Sequence, residues 1–227
     1  INSRADLAHA DAVFQTRARA ALLDSGVTLM VPDTVYLAQD THIGPDTVIE
    51  PNVVVGPGVT VENGATIRAF SHLEGCHVSR GAIIGPYARL RPGAELAENT
   101  RVGNFVEIKN AQIAEGAKVN HLSYIGDATV GAATNIGAGT ITCNYDGVMK
   151  HQTTIGAGAF IGSNTMLIAP VTIGDRAMTA TGSVINKTVP AEAMAVARVK
   201  QDNKAGYATK LFEMLKAKKA RRDKGNK

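Results

Sequence analysis

From Ile43 to Val189 an aliphatic residue returns about every sixth position, and a small or β-branched residue follows four places later. The first run reads Ile43, Ile49, Val55, Val61, Ile67, Leu73; after a skipped residue it resumes as Val78, Ile84, Leu90, Leu96, Val102, Ile108. Further skips lead to Ile113, Val119, Ile125, then Val130 and Ile136, and finally Ile155, Ile161, Leu167, Ile173, Thr179, Ile185. Of these 23 positions only Thr179 is not aliphatic, and of the 23 companions only His77 and Gln112 break the small-residue pattern. A period of six fits neither the 3.6 of a helix nor strand alternation over a whole element, and self-similarity at a fixed period marks a repeat architecture.

Six residues accommodate one short strand and one corner. Residues two apart share a face of a strand, so each hexad points two side chains inward, and His77 is expected among them. Three hexads close a triangular coil of 18 residues, and stacked coils pair in parallel at about 4.8 Å. Gly, Asn and Asp near the corners, as in Asn63-Gly64 and Pro92-Gly93, suit the turns. The prediction is an all-β chain: a parallel β-helix of roughly eight coils over residues 27–190, its hand left open by periodicity. Residues 1–26 carry Leu7, Ala10, Phe14, Ala18, Ala21 and Leu22 at helical spacing before Gly26, and read as a linker helix. Residues 191–227 form a C-terminal arm and basic tail.

Composition supports a solenoid: 23 Gly, no Trp, and five Tyr with five Phe. The net charge of +4 is a property of the end. Ala208–Lys227 carries +6, leaving −2 for the other 207 residues. That tail reads as solvated or disordered rather than as a nucleic-acid site, because only Phe212 could stack a base. No apolar run of about 18 residues and no signal-peptide pattern is present, so no membrane partner is expected. Cys76 and Cys143 make no CxxC and no disulfide framework, which suits a cytoplasmic setting.

The coil turns spacing into geometry. Arg91 and Lys109, 18 residues apart, are expected to stack on one face, with Tyr124 one coil further and His121 at the corner leading to it. Stacked cations suit a phosphate, Arg as a fork and Lys as a point charge, while Glu107 nearby allows a plain ion pair. The period fails between Ile141 and Ile155, where Thr142–Lys150 reads as an outward loop. His72, His77 and His121 raise a three-histidine zinc alternative. His151 is expected to be solvated. The company of His121 favours a general base.

The stretches Arg89–Ala94, Gly103–Lys109, His121–Asp127 and Asn135–Thr140, followed by Cys143–Gly147, resemble a bacterial family. It is the bifunctional glucosamine-1-phosphate N-acetyltransferase/N-acetylglucosamine-1-phosphate uridyltransferase family, in its C-terminal half. The resemblance covers nearly the whole chain and weakens in the last 20 residues. It implies a left-handed β-helix, a homotrimer with shared active sites, and a uridyltransferase half missing from this chain. It also implies acetyl transfer from acetyl-CoA to glucosamine 1-phosphate, a step of UDP-N-acetylglucosamine synthesis for peptidoglycan and lipopolysaccharide. His121 matches the catalytic base. Arg91, Lys109, Tyr124, Asn135 and, more weakly, Lys150 match the sugar-phosphate positions. Ala138, Asn144, Tyr145, Ser163, Thr181 and Arg198 match the acetyl-CoA positions, with a backbone contact expected at Thr181. No metal is implied for this half-reaction, magnesium belonging to the missing half. The alternatives are another hexapeptide acyltransferase or a non-catalytic β-helix, the latter disfavoured by the outward Arg91, Glu107, Lys109 and Asn120.

Overall fold

A computed structural model describes residues 1–225. One compact unit spans Ile1–Ala197, and the chain from Arg198 forms a second. The first unit is a parallel β-solenoid of about 9 turns, one more than the periodicity suggests. Every ladder in it is parallel. The first wall is a ten-stranded sheet running from Thr28–Leu29 to Met194–Ala195 and including Arg101–Asn104 and Lys118–His121. The second and third walls form one fifteen-stranded sheet, because Glu107–Ile113 and Tyr124–Val130 run unbroken around the corner between them. Asn110 and Asp127 turn that corner at φ 44° and 47°.

The core is the predicted aliphatic series. Ile49, Ile67, Leu73, Ile84, Leu90, Leu96, Ile108, Ile125 and Ile161 are fully buried, and the Thr179 exception is buried too. Where the series skips a residue, the coil shortens and the register step falls from 18 to 17, as in Thr60↔His77 and Ala94↔Ala111. The shortened corner moves the inward companion back one place. Cys76 and Ala111 are therefore buried, and His77 faces outward. His77 lies 3.0 Å from Glu62 and 3.5 Å from Glu95, so the expectation of an inward His77 is corrected. Leu90→Ala removes a fully buried side chain from a coil that cannot collapse without breaking register. It is expected to lower unfolding stability by about 2–5 kcal/mol, read by denaturant titration.

Helix α1 (Arg4–Asp24) begins with a capping box in which Ser3 accepts from the Asp6 N–H and Asp6 accepts in return. Ala18 and Leu22 pack on the core, and buried Gln15 bonds both backbone groups of Leu37. Leu7 and Ala21, which share the helical spacing, are exposed. In the second unit the tail is helical, not disordered: α2 spans Tyr207–Gly225, with Arg222 and Lys224 in its last turn, where cations favour the helix dipole. The final two residues of the predicted tail lie outside the described residues. Among the described residues, no helix is long and apolar enough to cross a membrane.

Candidate functional site

His121 ends the strand Lys118–His121 on the first wall, and the chain then turns through Leu122 at φ 51°. Its Nδ1 lies 2.8 Å from Oδ1 of Asn104, its register partner one coil before. A carboxamide oxygen only accepts, so this bond keeps the proton on Nδ1 and leaves the Nε2 lone pair open. His121 borders a cavity of about 190 Å³ with Arg68, Arg101, Asn104 and Asn120. Asn135 is on the same wall, in register with Lys118.

Three of the residues matched to acetyl-CoA continue this row. The Gly139 N–H donates to the His121 carbonyl, the Asn164 N–H to Ala138, and the Gly182 N–H to Ser163. His121, Ala138, Ser163 and Thr181 thus rise one per coil along one corner, a track of about 15 Å at the usual interstrand spacing. Gly137 and Gly139 spend their N–H groups on backbone carbonyls. Of the three N–H groups in that turn, Ala138's is the one left for a ligand.

The cations occupy the second wall. Arg91 Nη1 is 2.8 Å from Glu107, which Arg89 also reaches at 3.5 Å, so the ion pair allowed by the sequence is formed. Lys109 and Lys150 lie against each other, and this repulsion, led by a side-chain contact with Lys109, holds the Lys150 ammonium below the usual lysine range. Buried Asp127 sits between them. Its carboxyl lies below the usual carboxylate range: burial opposes this, while hydrogen bonds from Asn110 and Asn144 and the two lysines outweigh it. Tyr124 borders a cavity of about 420 Å³ with Arg89 and Glu107, and its ring folds over Gly126, where a Cβ would collide with it. A phosphate in this cluster would relieve the lysine repulsion.

The structure therefore groups the predicted residues in two sets. Arg91, Lys109 and Tyr124 share the second wall, which Lys150 reaches from the loop, while His121 and Asn135 lie on the first. His121 is separated from the cation stack by the corner at which the spacing puts it. Asn144 is buried and tied to Asp127, whereas Tyr145 is exposed in the loop. Arg198 belongs to the second unit. Two contributors carried no sequence role: Asn104 holds the imidazole and Asp127 holds the loop and the lysines. The 17-residue spacings of Asn104 to His121 and Asn110 to Asp127 are the signal that finds them.

The loop starts later than predicted, since Thr142 is buried in the strand Ile141–Cys143 and its hydroxyl accepts from the Gly126 N–H. His151 is not simply solvated: its Nε2 lies 2.6 Å from Asp146, whose other oxygen accepts from the Val148 and Met149 N–H groups. The His151 bond first, then those two amides, hold the Asp146 carboxyl down at about 2. A depressed carboxyl stabilises the loop above its unfolded pKa and loses that contribution as pH falls through the folded value. The Val148 and Met149 amide shifts are accordingly expected to titrate in NMR with a midpoint of about 2. A midpoint at the ordinary 3.8 would contradict the pairing. His72, His77 and His121 are not brought together: their register partners are Arg89, Glu95 and Asn104. Among the described residues, no group of three His, Cys, Asp or Glu could hold a metal.

Stacked hexads with a corner imidazole and a cation cluster make up a hexapeptide-repeat β-solenoid. The family model described as bacterial transferase hexapeptide (six repeats) matches residues 40–75 and 152–187. The fold is similar to that of the UDP-N-acetylglucosamine acyltransferase from Campylobacter jejuni, with TM-score 0.53 and 13% identity over 75% of this chain and 72% of that one. Sequence likeness is more specific. The chain is 77% identical over 225 residues to the bifunctional protein GlmU of Ruegeria sp. (strain TM1040), covering 99% of this chain and 50% of that protein. It is 79% identical over 224 residues to that of Ruegeria pomeroyi, again covering 99% and 50%. The chain spans about half the length of the curated relatives it matches.

Proposed function

We propose that this chain transfers the acetyl group of acetyl-CoA to the amine of glucosamine 1-phosphate, giving N-acetylglucosamine 1-phosphate and CoA. The observation that carries the proposal is the imidazole of His121, held by Asn104 with Nε2 open at the foot of the Ala138–Ser163–Thr181 track. The amine lone pair attacks the thioester carbonyl carbon, Nε2 of His121 takes the amine proton, and the carbonyl oxygen becomes an oxyanion. Imidazole is the side chain most often used as a general base in such transfers. The Ala138 N–H is placed to stabilise the oxyanion. Collapse of the intermediate re-forms the carbonyl, breaks the C–S bond and releases the CoA thiolate, which is protonated.

Arg91, Lys109, Lys150, Tyr124 and Asn135 bind the sugar phosphate and orient the amine, supplying position rather than bond-making. Asn144, Tyr145, Ser163, Thr181 and Arg198 complete the acetyl-CoA contacts, Asn144 through the loop that Asp127 anchors. The two sets lie on different walls, which supports a homotrimer whose sites are shared between copies. A ping-pong route through Cys143 is disfavoured because burial pushes its thiol up, away from the thiolate it would need. The reaction belongs to cytoplasmic UDP-N-acetylglucosamine synthesis, feeding peptidoglycan and lipopolysaccharide, and the other half of the parent protein uridylates the product with magnesium.

The test is release of free CoA with glucosamine 1-phosphate, compared with glucosamine and glucosamine 6-phosphate. Strong preference for the 1-phosphate is expected. Equal rates with unphosphorylated glucosamine would remove the cation cluster from the account.

A further inference from the structure

Where the first wall approaches His121, its outward charges are of one sign. On the coils from Thr66 to Asn135 they are Arg68, Arg101 and Lys118, and all three side chains are exposed. Glu50 lies one coil before Arg68, but its carboxylate accepts from the Ala69 N–H at 2.9 Å. Among the described residues, none of Arg68, Arg101 and Asn120 has an ion pair or a side-chain hydrogen bond. These are unused donors gathered beside the imidazole.

Between Arg68 and Asn120 the same column of the wall holds Gly85 and Gly103. A Cβ on Gly85 would collide with Ser71 and Arg68, and one on Gly103 with the Asn120 backbone, so both positions stay bare. The gap they leave is the cavity of about 190 Å³ that His121 borders, and no carboxylate lines it. Arg68 and Arg101 stand two coils apart, about 10 Å at the interstrand spacing. A guanidinium at each end of a bare gap suits two linked phosphoryl groups, each taken by one fork. The volume is well below the roughly 300 Å³ of a drug-sized pocket, so a nucleoside attached to such a group would stay outside.

The two substrates do not account for these cations. On the second wall, Arg89, Arg91, Lys109 and Lys150 stand against Glu107 and Asp127. The two positive charges left over match one phosphate ester, which carries about −2. Acetyl-CoA on the Ala138–Ser163–Thr181 track runs toward later coils, whereas Arg68 and Arg101 belong to coils before His121. We infer that the first-wall cavity is a second anion site, which takes a diphosphate group and whose occupant keeps the acceptor amine from Nε2 of His121. The inference rests on the proposal that His121 is the base. Two sources carry the group: free pyrophosphate, which nucleotidyl transfer to a sugar phosphate releases, and the diphosphate of a nucleotide. Either one lets the product of a later step slow acetyl transfer.

The test is calorimetric titration with inorganic pyrophosphate in the absence of divalent cations. The wild type is expected to bind, and Arg68→Gln combined with Arg101→Gln to weaken binding by about 10-fold or more. Arg91→Ala is expected to leave that affinity within about twofold, because it removes a cation from the other wall. Pyrophosphate is expected to inhibit acetyl transfer in competition with glucosamine 1-phosphate and not with acetyl-CoA. Without pyrophosphate the double variant is expected to keep wild-type kcat and KM. Uridine diphosphate separates the sources: affinity equal to that of pyrophosphate upholds the diphosphate alone as ligand, and tighter binding upholds it with the nucleoside attached. A wild type that binds no pyrophosphate, or binding lost in Arg91→Ala and kept in the double variant, overturns the inference. So does a double variant whose KM for glucosamine 1-phosphate rises as that of Arg91→Ala does, which would give both arginines to the acceptor's own phosphate. Binding that depends on Arg68 and Arg101 in a chain that transfers no acetyl group upholds the site and removes the catalytic reading.

Discussion

His121→Ala is expected to lower the rate of acetyl transfer by about 10²–10⁴, the contribution of a positioned acid–base group. The side chain is exposed at a corner and bonded only laterally, to Asn104, so no core contact is lost. Far-ultraviolet circular dichroism, assembly mass and acetyl-CoA affinity are therefore expected to remain near wild type. Raising the pH restores part of the rate, because more of the substrate amine is then neutral without help. Asn104→Ala, which frees the ring without removing it, is expected to lower turnover less and to leave affinity for both substrates unchanged. Near wild-type turnover of His121→Ala at neutral pH would transfer the proton-accepting role to another group or to water.

Arg91→Ala acts on the other substrate. Its guanidinium holds Glu107, and the register places Arg91 one coil before Lys109. A charge-assisted hydrogen bond contributes about 1.5–3 kcal/mol, or roughly 10–10² in kcat/KM for glucosamine 1-phosphate. Losing Arg91 also leaves Glu107 with only the longer contact to Arg89, placing less compensated negative charge beside the phosphate. Acetyl-CoA affinity is expected to change little, since Ala138, Ser163 and Thr181 follow the other corner. Equal weakening of both substrates would make Arg91 a structural residue.

The fold was legible because burial in a coil this narrow is absolute. Each aliphatic position from Ile49 to Ile185 has one place to go, so the period survives almost without noise. The hand came only from the family resemblance. His77 was misplaced because a skipped residue can fall on either side of the inward companion, and periodicity does not say which. The tail was read as solvated or disordered: its described side chains are exposed, and its helix went unread although Lys and Arg are good helix formers and favour a helix C-terminus.

Some of the candidate site's stacking was legible in the sequence, and its side-chain bonds were less so. The 18-residue spacing stacked Arg91 on Lys109, and the family strings supplied His121 and the acetyl-CoA positions. Asn104 and Asp127 act through neighbours one coil away. Their roles depend on side-chain hydrogen bonds that spacing permits but does not specify. The division between two walls was legible, because counting hexads puts His121 at the corner leading into the strand of Tyr124.

The central claim is that one catalytic centre combines the base of one chain with the phosphate cluster of another. Co-expression of His121→Ala and Arg91→Ala chains with different tags, and purification of the mixed assemblies, tests it directly. Each variant alone is expected to be nearly inactive. In each purified mixed trimer one site of three joins an intact His121 to an intact Arg91 cluster, so turnover is expected to recover to about a third of wild type. Mixed assemblies no more active than the two variants measured separately would mean that both residues serve one site from the same chain, and the shared-site account would fail.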